Sequence, residues 1–160
     1  MPWAALQVLL ESTDPRSEEA SHLLQQMRSE VVGRYHDVMT VSTPPQIEPL
    51  GDGCVFLIAR WEGKPVGCAG LRDMGGGAAE VKRMYVAPPF RRRGIARLLL
   101  EALERLATQS GYSTLRLETG TRQPEAIALY QAHAFQRIPA YGRHVGDPLS
   151  ICFEKRIGPN

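Results

Sequence analysis

Residues 79–111 read AEVKRMYVAPPFRRRGIARLLLEALERLATQSG, and few folds accommodate that succession. Residues 79–87 have strand character and stop at Pro88-Pro89, which have no N–H to extend a ladder. Beyond Gly94, Ile95, Leu98, Leu99, Ala102, Leu103 and Leu106 recur at helical spacing, with Arg97, Glu101 and Arg105 on the opposite face. Gly111 suits the position just past the helix end. A strand therefore turns into a helix through Gly94, with Arg91, Arg92 and Arg93 at the junction. A helix start exposes unpaired N–H groups at the positive end of its dipole, and glycine lets a ligand approach the backbone. The junction is thus an anion site suited to a pyrophosphate. No Lys-Ser/Thr follows Gly94 and no GxGxxG is present, so nucleoside triphosphates and nicotinamide cofactors lose support. Two plainer readings stay open: solvated arginines beside a turning glycine, and a landing patch for nucleic acid.

Charge weighs against the second. The 160 residues carry a formal net charge of only +2, and no aromatic residues interleave with the arginines. With 43% hydrophobic and 22% charged residues, the chain reads as one globular domain over residues 1–160. No apolar run reaches the ~20 residues that span a bilayer, so no membrane partner is expected. The opening MPWAALQVLLESTDP has no basic leader. Cys54, Cys68 and Cys152 show no metal spacing and read as reduced, packed thiols, which points to a cytoplasmic protein with no metal.

The remaining segments predict a mixed sheet flanked by helices. Residues 5–10 read as a first strand, and Ser12-Thr13-Asp14-Pro15 signals a helix that ends near Gly33. Residues 34–53 read as loop with a short helix. Residues 54–61 are apolar on both faces and turn through Glu62-Gly63-Lys64 into a strand at 65–71. Residues 72–78, with three glycines, read as a turn. Residues 114–119 form a strand, Pro124 opens a helix with Glu125 in its first turn, and residues 134–138 and 149–155 close the sheet.

The stretch EVKRMYV, followed by RRRGIA, resembles the GNAT superfamily of acyl-CoA-dependent N-acyltransferases. Arg91, Gly94 and Ala96 match its Arg/Gln-x-x-Gly-x-Gly/Ala signature. AIALYQAHAF, residues 126–135, resembles its second signature, an Ala-x-x-Leu-Tyr helix before a Gly-Phe pair, and the agreement runs over roughly residues 54–138. RLETGTRQPEAIALY is similar to a bacterial subgroup. Two departures stand out: Gln123 where the second signature often opens with Asn, and Ala134 in place of the glycine.

The resemblance implies a mostly antiparallel sheet of six to seven strands, splayed between the fourth and fifth. It implies acetyl-CoA as co-substrate, its pyrophosphate held by residues 91–96 (Arg91, Arg92, Arg93, Gly94, Ile95 and Ala96). The pantetheine arm would pair with Met84, Tyr85 and Val86, and a bulge there would offer an N–H to the thioester carbonyl. An amine of lysine-like pKa (~10) must lose a proton before attack, and the leaving thiol (pKa ~8.5) gains from protonation. Glu80 falls at the family's base position, with a solvated or ion-paired carboxylate as its plainer reading. Tyr130 falls where a tyrosine approaches the sulfur, with a packed aromatic as its plainer reading. Glu118 would bind or deprotonate the amine, or pair with Arg83 or Arg116.

Substrate contacts are expected from Arg34, Tyr35, His36 and Asp37 and from Tyr141, Gly142, Arg143 and His144, where Arg and His would suit an acidic group. The expected reaction moves acetyl from acetyl-CoA to the primary amine of a small molecule within a ternary complex. A peptide or protein amine acceptor and a non-catalytic CoA-binding sensor stay open, as does a homodimer. Nucleic acid is not expected as a partner.

Overall fold

Strand β2 (Val55–Trp61) is apolar on both faces because it separates two cores. Phe56 and Ile58 face helix α1 (Glu18–Tyr35) and meet Ala20, Leu23 and Leu24, while Leu57 and Ala59 join the layer of helix α2 (Ile95–Gln109) with Leu99 and Leu103. The computed structural model describes residues 7–38 and 49–158. The remaining elements are β1 (Val8–Ser12), β3 (Lys64–Gly75), β4 (Ala78–Val86), β5 (Thr114–Gly120), α3 (Pro124–Ala132), β6 (Gln136–Ile138) and β7 (Ser150–Arg156). Short 3-10 turns occupy Pro88–Phe90 and Gly142–His144.

The seven strands form one mixed sheet in the order β1-β2-β3-β4-β5-β7-β6, flanked by the helices. Every neighbouring pair is antiparallel except β4 and β5. That parallel pair joins only at Ala78↔Thr114, Ala79↔Leu115 and Glu80↔Arg116. Beyond Glu80 the strands part, and the β4–β5 pairing does not continue along residues 81–86.

Several local boundaries differ from the sequence reading. Strand β1 lies at Val8–Ser12, later than residues 5–10, and residues 5 and 6 lie outside the described residues. The cap of α1 is Ser17, whose Oγ accepts the Ala20 N–H at 3.2 Å. Asp14 instead accepts the Arg16 N–H at 2.8 Å, a local turn that competes with a helix start. The helix runs through Gly33 to Tyr35, where Arg34 and Tyr35 gain tertiary partners. Of the loop and short helix expected over 34–53, residues 39–48 lie outside the described residues. The turn expected over 72–78 shrinks to Gly76-Gly77, because β3 continues to Gly75 and pairs Arg72 with Glu80.

Candidate active site

The splay opens into a cavity of about 1070 Å³ bounded by α1, β4, β5, α3 and the start of α2. On β4 a bulge interrupts the register, since Cys68 faces Tyr85 while Gly70 faces Lys82. Arg83 and Met84 thus oppose Ala69 alone, and Arg83 takes φ 59°. The extra residue reverses the facing of the strand: Ala79 and Val81 lie in the α2 core, whereas Tyr85 lies in the α1 core. Met84, Tyr85 and Val86 all line the cavity along the edge that β5 leaves.

At the end of that edge the chain turns through Gly94, φ 79°, into α2. No side chain caps this helix and no acidic residue occupies its first turn, so its N–H groups face the cavity mouth unneutralised. The three arginines diverge. Arg91 turns back, its Nε donating to the Val86 carbonyl at 2.8 Å and its guanidinium pairing with Glu30 of α1 at 2.8 Å. Arg92, at φ 64°, lines the cavity. Arg93 lies over the Trp61 ring at 4.8 Å and the Phe90 ring at 5.4 Å, outside the cavity lining. Ile95 is buried in the core beneath the helix start, and Ala96 lines the mouth.

Glu80 sits at the vertex of the splay, 1% exposed. Its Oε1 accepts from Arg72 Nε at 2.8 Å and its Oε2 accepts from the Tyr141 hydroxyl at 2.6 Å. Lys82 adds a second cation at 3.9 Å from Oε1. Burial, and then the bond to Glu80, push the Tyr141 phenol well above the ordinary range, so it stays protonated and donates.

Tyr130 is buried on α3 between the Phe135 ring at 5.8 Å and the Phe153 ring at 6.2 Å. Among the described residues its hydroxyl makes no hydrogen bond, and Tyr130 lines the cavity. Burial pushes this phenol up, and the Glu118 charge adds to that. The helix ends in a Schellman arrangement: the Phe135 N–H donates to the Tyr130 carbonyl at 3.0 Å and the Ala134 N–H to that of Gln131 at 3.2 Å. Ala134 occupies the left-handed position, φ 65°, where the family places glycine. The other departure, Gln123, uses its side-chain carbonyl to accept the Gly120 N–H at 3.0 Å.

Glu118 lies on β5 just past the last residue paired with β4. Arg116 pairs with Glu154 at 3.1 Å and not with Glu118, the residue offered as its partner from the sequence. Glu118 instead accepts from Ser150 Oγ at 2.6 Å and lies 3.7 Å from His144 Nδ1. Arg143 lines the same end of the cavity. Tyr35 is buried under Gly120, and its hydroxyl accepts the Arg122 N–H at 3.0 Å. His36 Nδ1 donates to the Gly33 carbonyl at its own helix end, and Asp37 pairs with Arg122. Arg34 joins Glu30 to Glu125 of α3, bridging the two sides of the cavity.

Arg72, Glu30 and Ser150 were missed from the sequence. Arg72 and Glu80 stand symmetrically about Gly76, so extending the hairpin register would have found that pair. Glu30 and Ser150 left no local signal, because their partners lie 61 and 32 residues away. All three cysteines are free, and burial pushes the Cys68 thiol up to about 12.

A family model described as the acetyltransferase (GNAT) family matches residues 19–135. An IAA acetyltransferase of Azospirillum brasilense is 46% identical over 103 residues, covering 64% of this chain and 67% of that protein. A solved structure from Klebsiella pneumoniae, assigned as an acyl-CoA N-acyltransferase, is 31% identical, with TM-score 0.78 over 94% of this chain and 97% of that one. A GNAT acetyltransferase from Elizabethkingia anophelis, solved with acetyl-CoA bound, shares the fold at TM-score 0.67 and 17% identity, covering 94% of this chain and 98% of that one.

Proposed function

The chain belongs to the GNAT acetyltransferase family and is an acetyl-CoA-dependent N-acyltransferase, and we propose that it acetylates the primary amine of a small molecule within a ternary complex. The observation that carries this reading is the divergence of β4 from β5 beyond Glu80, which opens a cavity running to the start of α2 at Gly94. An extended acyl-pantetheine arm fits the side of β4 that β5 leaves beyond Glu80, and a pyrophosphate fits the helix start at its end. Acetyl-CoA supplies an activated acyl carbon with a thiolate leaving group.

The chain's own groups divide the remaining work. The Gly94–Ala96 backbone and Arg92 hold the phosphates, while Arg91 fixes the loop through Val86 and Glu30. Tyr130 lines the cavity and donates to the departing sulfur. Glu80 is the proposed carboxylate of the proton relay. With both oxygens engaged by Arg72 and Tyr141, its part is to hold the Tyr141 ring against the cavity wall. A cavity of about 1070 Å³ has room for a small acceptor beside the arm.

Thermal unfolding with acetyl-CoA, CoA and ATP tests the cradle. A ligand at ~100 times its dissociation constant adds about 2.7 kcal/mol. A rise with both CoA species and none with ATP is expected. A protein that responds to no CoA species lacks the cradle. Thiol release from acetyl-CoA with a panel of small amines tests the transfer, and binding without release with any amine would favour a sensor.

A further inference from the structure

The geometry points to His144 as the group that takes the proton from the acceptor ammonium, with the Glu118 carboxylate stabilising the imidazolium that forms. This rests on the transfer reading above and names the proton acceptor within it. A base needs a free lone pair that the substrate can reach. Glu80 does not offer one while Arg72 and Tyr141 occupy its oxygens at 1% exposure. His144 does. It is 9% exposed and lines the cavity, and among the described residues neither ring nitrogen makes a hydrogen bond.

The surroundings hold the ring in place without using up its nitrogens. Tyr141 packs against it edge to face at 5.7 Å, and that ring is itself tied to Glu80. The His144 backbone N–H donates to the Tyr141 carbonyl at 3.0 Å, and the Asp147 N–H returns to the His144 carbonyl at 3.1 Å. Glu118 Oε2, 3.7 Å from Nδ1, is fixed by Ser150 Oγ, which also approaches Asp147 at 3.2 Å. The charged and titratable groups around His144 are therefore Glu118 from β5, Glu80 from β4 through Tyr141, Cys152 from β7 near Tyr141, Tyr130 from α3 near Glu118, and Arg143 and Asp147 from its own loop. Arg72 and Lys82 offset the Glu80 charge, which leaves Glu118, 3.7 Å from Nδ1, as the carboxylate that suits an ammonium waiting to be deprotonated.

The step balances as follows. The ammonium proton moves to His144, the amine nitrogen bonds to the acyl carbon, and the C–S bond breaks. The sulfur gains a proton through Tyr130, the amide nitrogen loses its second proton to restore Tyr130, and His144 releases its proton to water.

The test compares wild type with the His144→Gln, Glu118→Gln and Glu80→Gln variants. Thiol release from acetyl-CoA is followed between pH 6 and 9 with propylamine, benzylamine and ethanolamine. The expected result is a fall in kcat/KM of about 100-fold or more for His144→Gln. Its acetyl-CoA affinity stays unchanged, and the acid limb present in wild type and in Glu80→Gln disappears. Glu118→Gln keeps the limb with an intermediate loss. Independently, the His144 ring proton resonance, identified by its absence in His144→Gln, shifts when propylamine is added to the CoA complex. Activity of His144→Gln within threefold of wild type, or an unchanged acid limb in that variant, overturns the proposal. So does a ring resonance unmoved by propylamine. If His144→Gln does not fold, Glu118→Gln with wild-type rates decides against it. Wild type that binds acetyl-CoA but releases no thiol with any amine overturns the transfer reading as well, and absence of CoA binding overturns the cradle.

Discussion

Tyr141 donates its hydroxyl to Glu80 at 2.6 Å, joining residues 61 positions apart across the vertex of the splay. Phenylalanine at 141 keeps the ring and removes the donor, leaving one buried carboxylate oxygen unserved. The expected cost is about 1–3 kcal/mol in chemical denaturation, with Arg72 still neutralising the charge. Unchanged stability would mean that the contact contributes nothing to holding the vertex.

Alkaline pH acts on the same region. Burial raises the Tyr130 and Tyr141 phenols, and for Tyr141 the bond to Glu80 adds to it. A phenol raised in the folded state binds its proton more tightly there than in the unfolded chain, whose value is ~10. The contribution is whole below pH ~10 and is lost as pH climbs from there through the folded-state value. Stability should begin to decline near pH ~8.5, where the unfolded Cys68 thiol ionises, and decline more steeply above pH ~10, with up to ~1.4 kcal/mol per pH unit from the buried Tyr130. Urea midpoints across this range, compared with Tyr130→Phe, check the slope, and phenolate absorbance should appear for these two rings only with unfolding.

The three consecutive arginines should separate in calorimetric titration with CoA. Arg91→Ala frees the loop from Val86 and Glu30 and should weaken binding about tenfold, roughly 1.4 kcal/mol, with Glu30→Gln reproducing part of it. Arg93→Ala removes a guanidinium stacked on Trp61 and Phe90, and should cost about 0.5–1 kcal/mol of stability while leaving affinity within threefold.

Ala134 holds a left-handed conformation that disfavours a Cβ. Ala134→Gly relieves that strain at some cost in unfolded-state entropy, for a net gain of about 0.5–1 kcal/mol and roughly 1–4 °C in Tm. A scanning calorimetry experiment that shows a lower Tm would mean that the alanine methyl packs productively at the helix end.

Periodicity alone marked most of the elements, because helix and strand repeats are properties of neighbouring residues. The double-faced β2, the Gly94 junction and α2 were legible for that reason, and the resemblance carried by residues 91–96 and 126–135 placed the cradle and Tyr130 on one cavity. The partners of the charged groups were not legible. Nothing local says that Arg91 turns back to Glu30, that Arg116 takes Glu154, or that Arg72 reaches Glu80. Nor does the sequence disclose why residue 120 is glycine: a Cβ there would lie 1.8 Å from the Tyr35 hydroxyl, a clash defined only once α1 rests on the end of β5. Short-range order follows from backbone geometry and side-chain pattern over a few residues. Which carboxylate is sealed and which stays open depends on strands meeting at Glu80 and parting before Glu118, and only the folded sheet decides that.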